Sequence, residues 1–343
     1  MTTMSDYRFL KACRREPVDM TPVWLMRQAG RYLPDYMKVR SKVSFLELCK
    51  TPELAAEVSI QPVDVLKVDA AILFSDILTP IEPMGLKLDF VPGPVFEHPV
   101  RTMADVDALI VPDPEEGVPY VMETIKMLRR ALEGRVPLIG FGGAPFTLAC
   151  YMVEGKGSKD FAWIKKMMYA APDVYAALMD KITAMDTRYL NAQIKAGAQA
   201  IQIFDTWGGV LSPSDYAHFV LPYTQRLIGG LEAKDVPVIH FVKGAGTMLD
   251  IVAQAGGDVM GLDWHINLGK ARDILGDKMA VQGNLDPTVL FAPKPVIERE
   301  VRRVLDENAG RPGHIFNLGH GILPTVPPEN AIAMVEAVHA LSS

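Results

Sequence analysis

Hydrophobic residues are concentrated in eight short segments of the chain, and each segment is apolar almost throughout rather than at alternate positions. Continuous apolarity is typical of strands that are covered on both faces, as strands in parallel sheets are. The segments comprise residues 22–28, 70–76, 137–143, 200–207, 237–243, 258–264, 279–284 and 314–320. The pattern therefore predicts eight parallel strands.

Helical segments lie between most of these strands, for example at residues 120–132, 172–196, 213–231 and 295–308. Several segments open with Ser or Thr followed by Pro, as in Thr51-Pro52 and Ser212-Pro213, an order typical of helix N-termini. A regular alternation of strands and helices indicates an α/β fold.

Eight strands within 343 residues favour a single (β/α)8 barrel of the TIM type, with one catalytic domain over residues 1–343. An open, doubly wound sheet is the alternative, but no Gly-x-Gly-x-x-Gly sequence follows the first strand. Residues 82–100 contain four prolines and two glycines and lack helical periodicity. We expect them to form a loop or hairpin inserted after the second strand.

The composition excludes several classes of protein. A net charge of −6 argues against a general attraction to nucleic acids or anionic lipids. No apolar run is long enough to span a membrane, and residues 1–15 lack a signal-peptide core, so we expect a cytoplasmic protein. The three cysteines have no C-x-x-C spacing, which predicts reduced, buried thiols rather than disulfides or a thiolate metal site.

Polar residues that end the apolar segments are candidates for an active site, because barrel enzymes carry their sites at the C-terminal ends of the strands. Arg27 and Arg31 flank Ala29-Gly30 after the first strand, where two guanidinium groups and accessible backbone amides suit a polyanion. Surface salt bridges would be the structural alternative for these arginines. Lys243, Asp205, Asp263 and Asn284 also end apolar segments and could be supporting residues.

Asp76 and His320 are two further candidates at strand ends. Asp76 follows an almost uniformly apolar run, so its carboxylate should be partly desolvated at the barrel mouth and needs a partner or a function. Its alternative role is to cap the helix that follows. His320 lies between two glycines that would present the imidazole to a ligand, although a structural histidine bonded to a carbonyl is equally compatible with the pattern.

Several longer segments resemble the uroporphyrinogen decarboxylase family over nearly the whole chain. The most specific is the block at 22–34, Pro-Val-Trp-Leu-Met-Arg-Gln-Ala-Gly-Arg-Tyr-Leu-Pro. Shorter matches are Leu-Phe-Ser-Asp-Ile at 73–77, Gly-Gly-Ala-Pro-Phe-Thr at 142–147, Phe-Asp-Thr-Trp at 204–207 and Asn-Leu-Gly-His-Gly-Ile at 317–322.

The resemblance implies a cytoplasmic homodimer that converts uroporphyrinogen III to coproporphyrinogen III without a metal or organic cofactor. It also implies site roles, residue by residue. Arg27 and Arg31 would bind substrate carboxylates, and Asp76 would accept the pyrrole N–H groups beneath the macrocycle and act as the catalytic residue. The remaining implied substrate-binding positions are Gln28, Ala29, Gly30, Tyr151, Thr206 and His320; at the Thr206 position some members of the family have serine.

Two other functions are compatible with the same barrel. A zinc-dependent corrinoid methyltransferase would carry His-x-Cys after the fifth strand and another Cys after the last, but this chain has His240-Phe241-Val242 and Gly319-His320-Gly321 there. A protein that binds tetrapyrroles without turnover is the second alternative. The placement of Asp76 and Arg27 suits a developing cation better than simple storage.

Overall fold

The structure, a computed structural model, describes residues 7–90 and 93–342. Its strands are β1 (Ala71–Ile72), β2 (Leu88–Phe90), β3 (Pro94–Phe96), β4 (Leu138–Gly143), β5 (Ala200–Asp205), β6 (Val238–Val242), β7 (Val259–Gly261), β8 (Ala280–Gln282) and β9 (His314–Ile315). Seven of them form one curled parallel sheet in the order β1-β4-β5-β6-β7-β8-β9. The expected α/β architecture with a parallel sheet is confirmed.

Helices connect these strands in chain order. They are α1 (Arg8–Cys13), α2 (Pro34–Arg40), α3 (Phe45–Lys50), α4 (Pro52–Leu66), α5 (Met103–Ala108), α6 (Pro114–Gly117), α7 (Pro119–Ala131), α8 (Pro145–Glu154), α9 (Ala162–Ala170), α10 (Pro172–Ala196), α11 (Pro213–Asp215), α12 (Leu221–Gly229), α13 (Leu249–Val252), α14 (Leu268–Leu275), α15 (Lys294–Asn308) and α16 (Pro328–Ser342). Ser212 caps α11 through its side chain, whereas the Thr51 hydroxyl bonds to the Glu47 carbonyl instead of capping α4.

The first predicted strand, at 22–28, is wrong as an extended strand. Only Val23 pairs in parallel, with Phe316, and the chain then turns at Met26 and Arg27. The Asp69 amide, just before β1, donates to the Val23 carbonyl at 2.8 Å. The start of this segment therefore lies between the two ends of the seven-stranded sheet, and its later residues are buried without pairing in the sheet.

The other predicted strands are present but shorter than their apolar segments, most clearly at β1 and β9.

The prediction of one continuous helix at 213–231 is also wrong. This segment is divided into α11, a five-residue π-helical turn at Tyr216–Val220, and α12. Pro222 follows directly, and because proline lacks an N–H it cannot continue an unbroken ladder of hydrogen bonds through this point.

The predicted insertion contains a hairpin. Strands β2 and β3 pair antiparallel, and Phe96 donates its amide to the Gly155 carbonyl at 2.8 Å, which fixes the hairpin against the end of α8. Residues 91–92 of this insertion lie outside the described residues, as do residues 1–6 of the segment predicted to lack a signal peptide.

All three cysteines are unpaired and buried, as predicted. In the described ranges, no helix has the length and apolarity to cross a membrane.

A polar chain crosses the space enclosed by the sheet. The Trp24 indole donates to Gln282 at 2.8 Å, and the Gln282 amide donates to Gln202 at 3.1 Å. Gln202 lies on β5 and Gln282 on β8, so the inner faces of distant strands are connected through side chains. The contact also attaches the segment around Trp24 to the sheet interior.

Candidate active site

The loops that follow the first segment and β9 meet at the C-terminal edge of the sheet. The Met26 amide donates to the Asn317 side chain at 3.0 Å, and the Ile322 amide donates to the Met26 carbonyl at 2.9 Å. The Arg27 side chain lies across Gly321, where a Cβ atom would be 2.8 Å from Arg27 Cγ. Arg27 is therefore adjacent to the loop that carries His320.

Arg27 has an unusual backbone conformation. Its φ is +63°, and the Gln28 amide donates to the Leu25 carbonyl at 2.9 Å, so residues 25–28 form a tight turn. A left-handed conformation costs a residue other than glycine about 1–2 kcal/mol. The turn lifts an exposed guanidinium out of an otherwise buried segment and holds it over the sheet edge.

The other residues of the first block have different environments. Gln28 is 1% exposed; its side chain accepts the Leu25 amide and donates to the Ala70 carbonyl at 3.1 Å, so it connects the turn to the residue before β1. Ala29 and Gly30 are half-buried and form the break between the arginines. Arg31 is exposed and forms no ion pair within the described part of the chain.

Asp76 follows β1 and is half-buried. Its Oδ1 accepts the Leu78 amide at 2.9 Å at the start of a 3-10 helix, so the capping role is realised in part. No described residue hydrogen-bonds to Oδ2. Desolvation raises the Asp76 pKa, while the Leu78 amide and the Arg27 charge lower it.

Tyr151, on α8, is close to both of these charged groups. Desolvation raises its pKa, the Asp76 charge acts in the same direction, and the Arg27 charge opposes it. Its ring packs against Trp207 with centroids 6.0 Å apart. Thr206 is half-buried directly before Trp207, at the end of β5. Arg27, Asp76 and Tyr151 therefore lie within electrostatic range of one another, and Thr206 directly follows the neighbouring strand, β5.

His320 is half-buried between its two glycines. Burial lowers its pKa to about 4, and the positive charges of Arg27 and Lys243 act in the same direction. Its ring lies 6.2 Å from that of Phe241. At neutral pH the imidazole is uncharged, so it can both donate and accept a hydrogen bond.

An aromatic row lies beneath these polar groups, and sequence reasoning did not identify it. The rings of Phe141 and Phe204 are 5.7 Å apart, and those of Phe204 and Phe241 are 6.2 Å apart. The strand pairing carries the signal: Phe204 pairs with Phe241, and Phe141 pairs with Gln202, two residues before Phe204, so all three lie on one face. The row forms an apolar surface, of which Phe204 is partly exposed, and the charged groups around it suit a ligand with an apolar centre and an acidic periphery.

The supporting polar residues are engaged with the protein. Asp205 is fully buried; its Oδ1 accepts the Thr147 hydroxyl at 2.6 Å, and burial raises its pKa to about 6. Asp263 accepts the Gly244 amide at 2.6 Å and bonds to the His265 ring at 2.8 Å. Asn284 donates to two backbone carbonyls.

No group of three or more His, Cys, Asp or Glu side chains in residues 7–90 and 93–342 is arranged to hold a metal ion. A methyltransferase site would need thiolates at the strand ends. The positions that would supply them are Val242 and Gly321 here, and neither side chain can ligate a metal.

The family model for uroporphyrinogen decarboxylase matches residues 4–341. The chain belongs to the uroporphyrinogen decarboxylase family. Proteins named uroporphyrinogen decarboxylase from Geobacter sulfurreducens and Geobacter metallireducens are each 82% identical over 335 residues, covering 98% of this chain and 98% of theirs. The resemblance inferred from the sequence motifs is confirmed.

A solved methyltransferase from Methanosarcina mazei is also similar to this chain of the uroporphyrinogen decarboxylase family. The TM-score is 0.84 at 25% identity, and the match covers 98% of both chains. The two proteins share a fold along their whole length. The much higher identity to the decarboxylases places this chain with them rather than with the methyltransferase.

Proposed function

We propose that the protein is a uroporphyrinogen decarboxylase, which removes CO2 from the four acetate side chains of uroporphyrinogen III to give coproporphyrinogen III in tetrapyrrole biosynthesis. The observation that carries the proposal is the Asp76 carboxylate at the sheet edge. One of its oxygens accepts the Leu78 amide, and Arg27 and Tyr151 lie within electrostatic range of it. Membership of the family and the high identity to its decarboxylases support the same activity.

Decarboxylation of an acetate requires a place for the electron pair of the broken C–C bond, and many enzymes supply a cofactor for this purpose. A pyrrole can supply its own. Protonation of the ring carbon beside the acetate gives a cationic, iminium-like ring, and loss of CO2 returns the electron pair to that ring. A second proton then completes the methyl group, and the ring carbon loses the proton that it gained in the first step, which restores the pyrrole.

Asp76 would stabilise the cationic ring. A carboxylate fixed beneath the pyrrole nitrogens interacts more strongly as the ring becomes positive, which favours the transition state over the ground state. At about 4 Å and an effective dielectric constant near 20, such a pair contributes roughly 4 kcal/mol. A large rate enhancement requires about 20 kcal/mol, so other groups must contribute most of it.

The remaining site residues would position the substrate. Arg27 and Arg31 can bind carboxylates through paired N–H donors, and the Gly30 backbone permits close approach. Thr206 and Tyr151 would donate hydroxyl hydrogen bonds, and the raised pKa keeps Tyr151 protonated. His320, uncharged at neutral pH, would bond to an acetate or propionate group. Favourable positioning of this kind contributes about 7–11 kcal/mol.

The proposal also includes a closed barrel, a single domain, a homodimer and a cytoplasmic location. A closed (β/α)8 barrel is supported by Val23, which pairs with Phe316 next to β9 and accepts the Asp69 amide next to β1. The single domain over residues 1–343 is supported by the family match to nearly the whole chain. The homodimer and the cytoplasmic location rest on the resemblance described above and on the composition.

The activity is tested by anaerobic incubation with uroporphyrinogen III and a metal chelator, without added cofactor. The products are then oxidised and separated by their number of carboxyl groups. Porphyrins with seven, six, five and four carboxyl groups are expected. An unchanged octacarboxylic substrate, beside an active reference decarboxylase, would contradict the proposal and favour binding without turnover.

A further inference from the structure

Lys243 follows β6 and lies on the same face as the aromatic row. Ile239, Phe241 and Lys243 alternate along one face of the strand, and the Phe241 ring lies 6.2 Å from that of His320. The Lys243 amide donates to the Asp205 carbonyl at 3.2 Å, so the β5–β6 ladder continues to this residue. Asp205 and Val242 form the last pair between the two strands, so Thr206 and Lys243 each directly follow that pair.

The Lys243 ammonium has no ion pair with any described residue, although it is half-buried. Neither acidic group at the neighbouring strand ends forms an ion pair with it, although Oδ2 of Asp205 has no hydrogen-bond partner among the described residues. Asp205 is buried and bonded to Thr147, and both oxygens of Asp263 accept hydrogen bonds from Gly244 and His265. A partly desolvated cation that lacks a protein partner is best compensated by a bound anion.

Lys243 is also on the opposite side of the site from Arg27. Along the curled sheet, three strands lie between β6 and the segment that carries Arg27, in either direction. They are β5, β4 and β1 on one side and β7, β8 and β9 on the other. The positive charges of Arg27 and Lys243 each lower the pKa of His320. The two cations therefore lie within electrostatic range of the same imidazole.

We propose that Lys243 binds a carboxylate of the substrate at the β5–β6 side of the site, beside Thr206 and opposite Arg27. The inference rests on the proposed function for the identity of the substrate. An octacarboxylic macrocycle held only at one edge by Arg27 and Arg31 could tilt over the aromatic row. A second cation across the site fixes the orientation of the macrocycle over the aromatic row.

The test compares Lys243→Met, Lys243→Arg and a matched control, Lys234→Met, in binding of uroporphyrin III and in turnover of uroporphyrinogen III. Lys234 is exposed in the loop before the same strand, at its other end. Loss of a charged hydrogen bond is expected to weaken binding and raise KM about tenfold or more in Lys243→Met. Lys243→Arg should restore most of the affinity, and the control should match the wild type.

Salt dependence separates a binding role from a structural one. The dissociation constant of the wild type should rise more steeply with salt than that of Lys243→Met, because the variant has lost one charge pair. Unchanged uroporphyrin III affinity in Lys243→Met would overturn the inference. Binding of uroporphyrin III is measured without turnover. If the wild type were inactive but Lys243→Met still bound the porphyrin more weakly, only the proposed function would be overturned.

Discussion

The Arg27 side chain lies directly over Gly321, with no room for even a methyl group between them. A Cβ atom on Gly321 would be 2.8 Å from Arg27 Cγ and 2.9 Å from Nε. The backbone of Gly321 is not in the left-handed region, so space rather than backbone conformation requires glycine there. The loop after β9 thus sets the position of a guanidinium that is distant from it in the sequence.

Gly321→Ala should therefore displace Arg27 while leaving the fold intact. The flexible arginine can move away, so we expect the free energy of unfolding to change by less than about 1 kcal/mol. Substrate binding should weaken, with kcat/KM reduced about tenfold or more through KM. Steady-state kinetics and denaturant unfolding check both expectations.

Gly229→Ala is the matched control for this substitution. Gly229 ends α12, and a Cβ atom there would meet nothing within 4 Å. Alanine in a helix is more favourable than glycine, so stability should rise slightly and kinetics should not change. Equal kinetics for Gly321→Ala and Gly229→Ala would show that Gly321 does not position Arg27.

Asp76→Asn tests the electrostatic role at nearly constant shape. Asparagine can still accept the Leu78 amide, so the turn before the 3-10 helix should survive. Loss of the negative charge should lower kcat about 10²–10³-fold, in line with a charge pair of roughly 4 kcal/mol. Circular dichroism and thermal unfolding should match the wild type, and unchanged kcat would remove Asp76 from the mechanism.

Thr147→Val tests the support beneath the end of β5. The Thr147 hydroxyl donates to Asp205 at 2.6 Å and accepts the Trp207 amide at 3.1 Å. Valine leaves a buried carboxylate oxygen unpaired, so the free energy of unfolding should fall by about 1–3 kcal/mol. Thr147→Ser keeps the hydroxyl and should lose less than half of that amount; equal losses in urea unfolding would assign the effect to packing.

The sequence was sufficient to select Arg27, Asp76 and His320 as candidates at one edge of the sheet, because each is a polar residue at or near the end of an apolar segment. It did not reveal how Asp205 is supported, since Thr147 is 58 positions away and its place at the end of a family block does not name its partner. Nor did it predict the left-handed turn at Arg27, which a glycine would have signalled.

Strand length was overpredicted for a physical reason. Pairing of the first segment with the chain after β9 ends at Trp24, whose amide bonds to the Phe316 carbonyl. Met26 is equally buried, although its amide bonds to the Asn317 side chain and not to a strand. Apolarity reports burial alone, and a buried loop has the same composition as a short strand. Gln28 lies in the same block, and its side chain bonds to the backbone at Leu25 and Ala70. Its contact with substrate stays a prediction.

His240 provides a test of stability against pH. It is fully buried on β6, its pKa is lowered to about 4 by desolvation, and neither ring nitrogen has a hydrogen-bond partner among the described residues. Below about pH 6.5 the unfolded chain binds a proton that the folded protein excludes, so this histidine reduces stability increasingly as the pH falls towards 4. Above pH 6.5 it is neutral in both states and contributes no pH dependence.

His240→Leu removes this penalty and sacrifices no protein hydrogen bond. We expect the variant and the wild type to differ by less than about 1.5 kcal/mol in unfolding free energy at pH 7.5, because the substitution is close in volume. The variant should gain relative to the wild type as the pH falls from 6.5 to 4, by up to about 3 kcal/mol. Urea unfolding across this range measures the difference, in which the titrations common to both proteins cancel. A constant difference would mean that the folded protein accepts the proton on His240 as readily as the unfolded chain does.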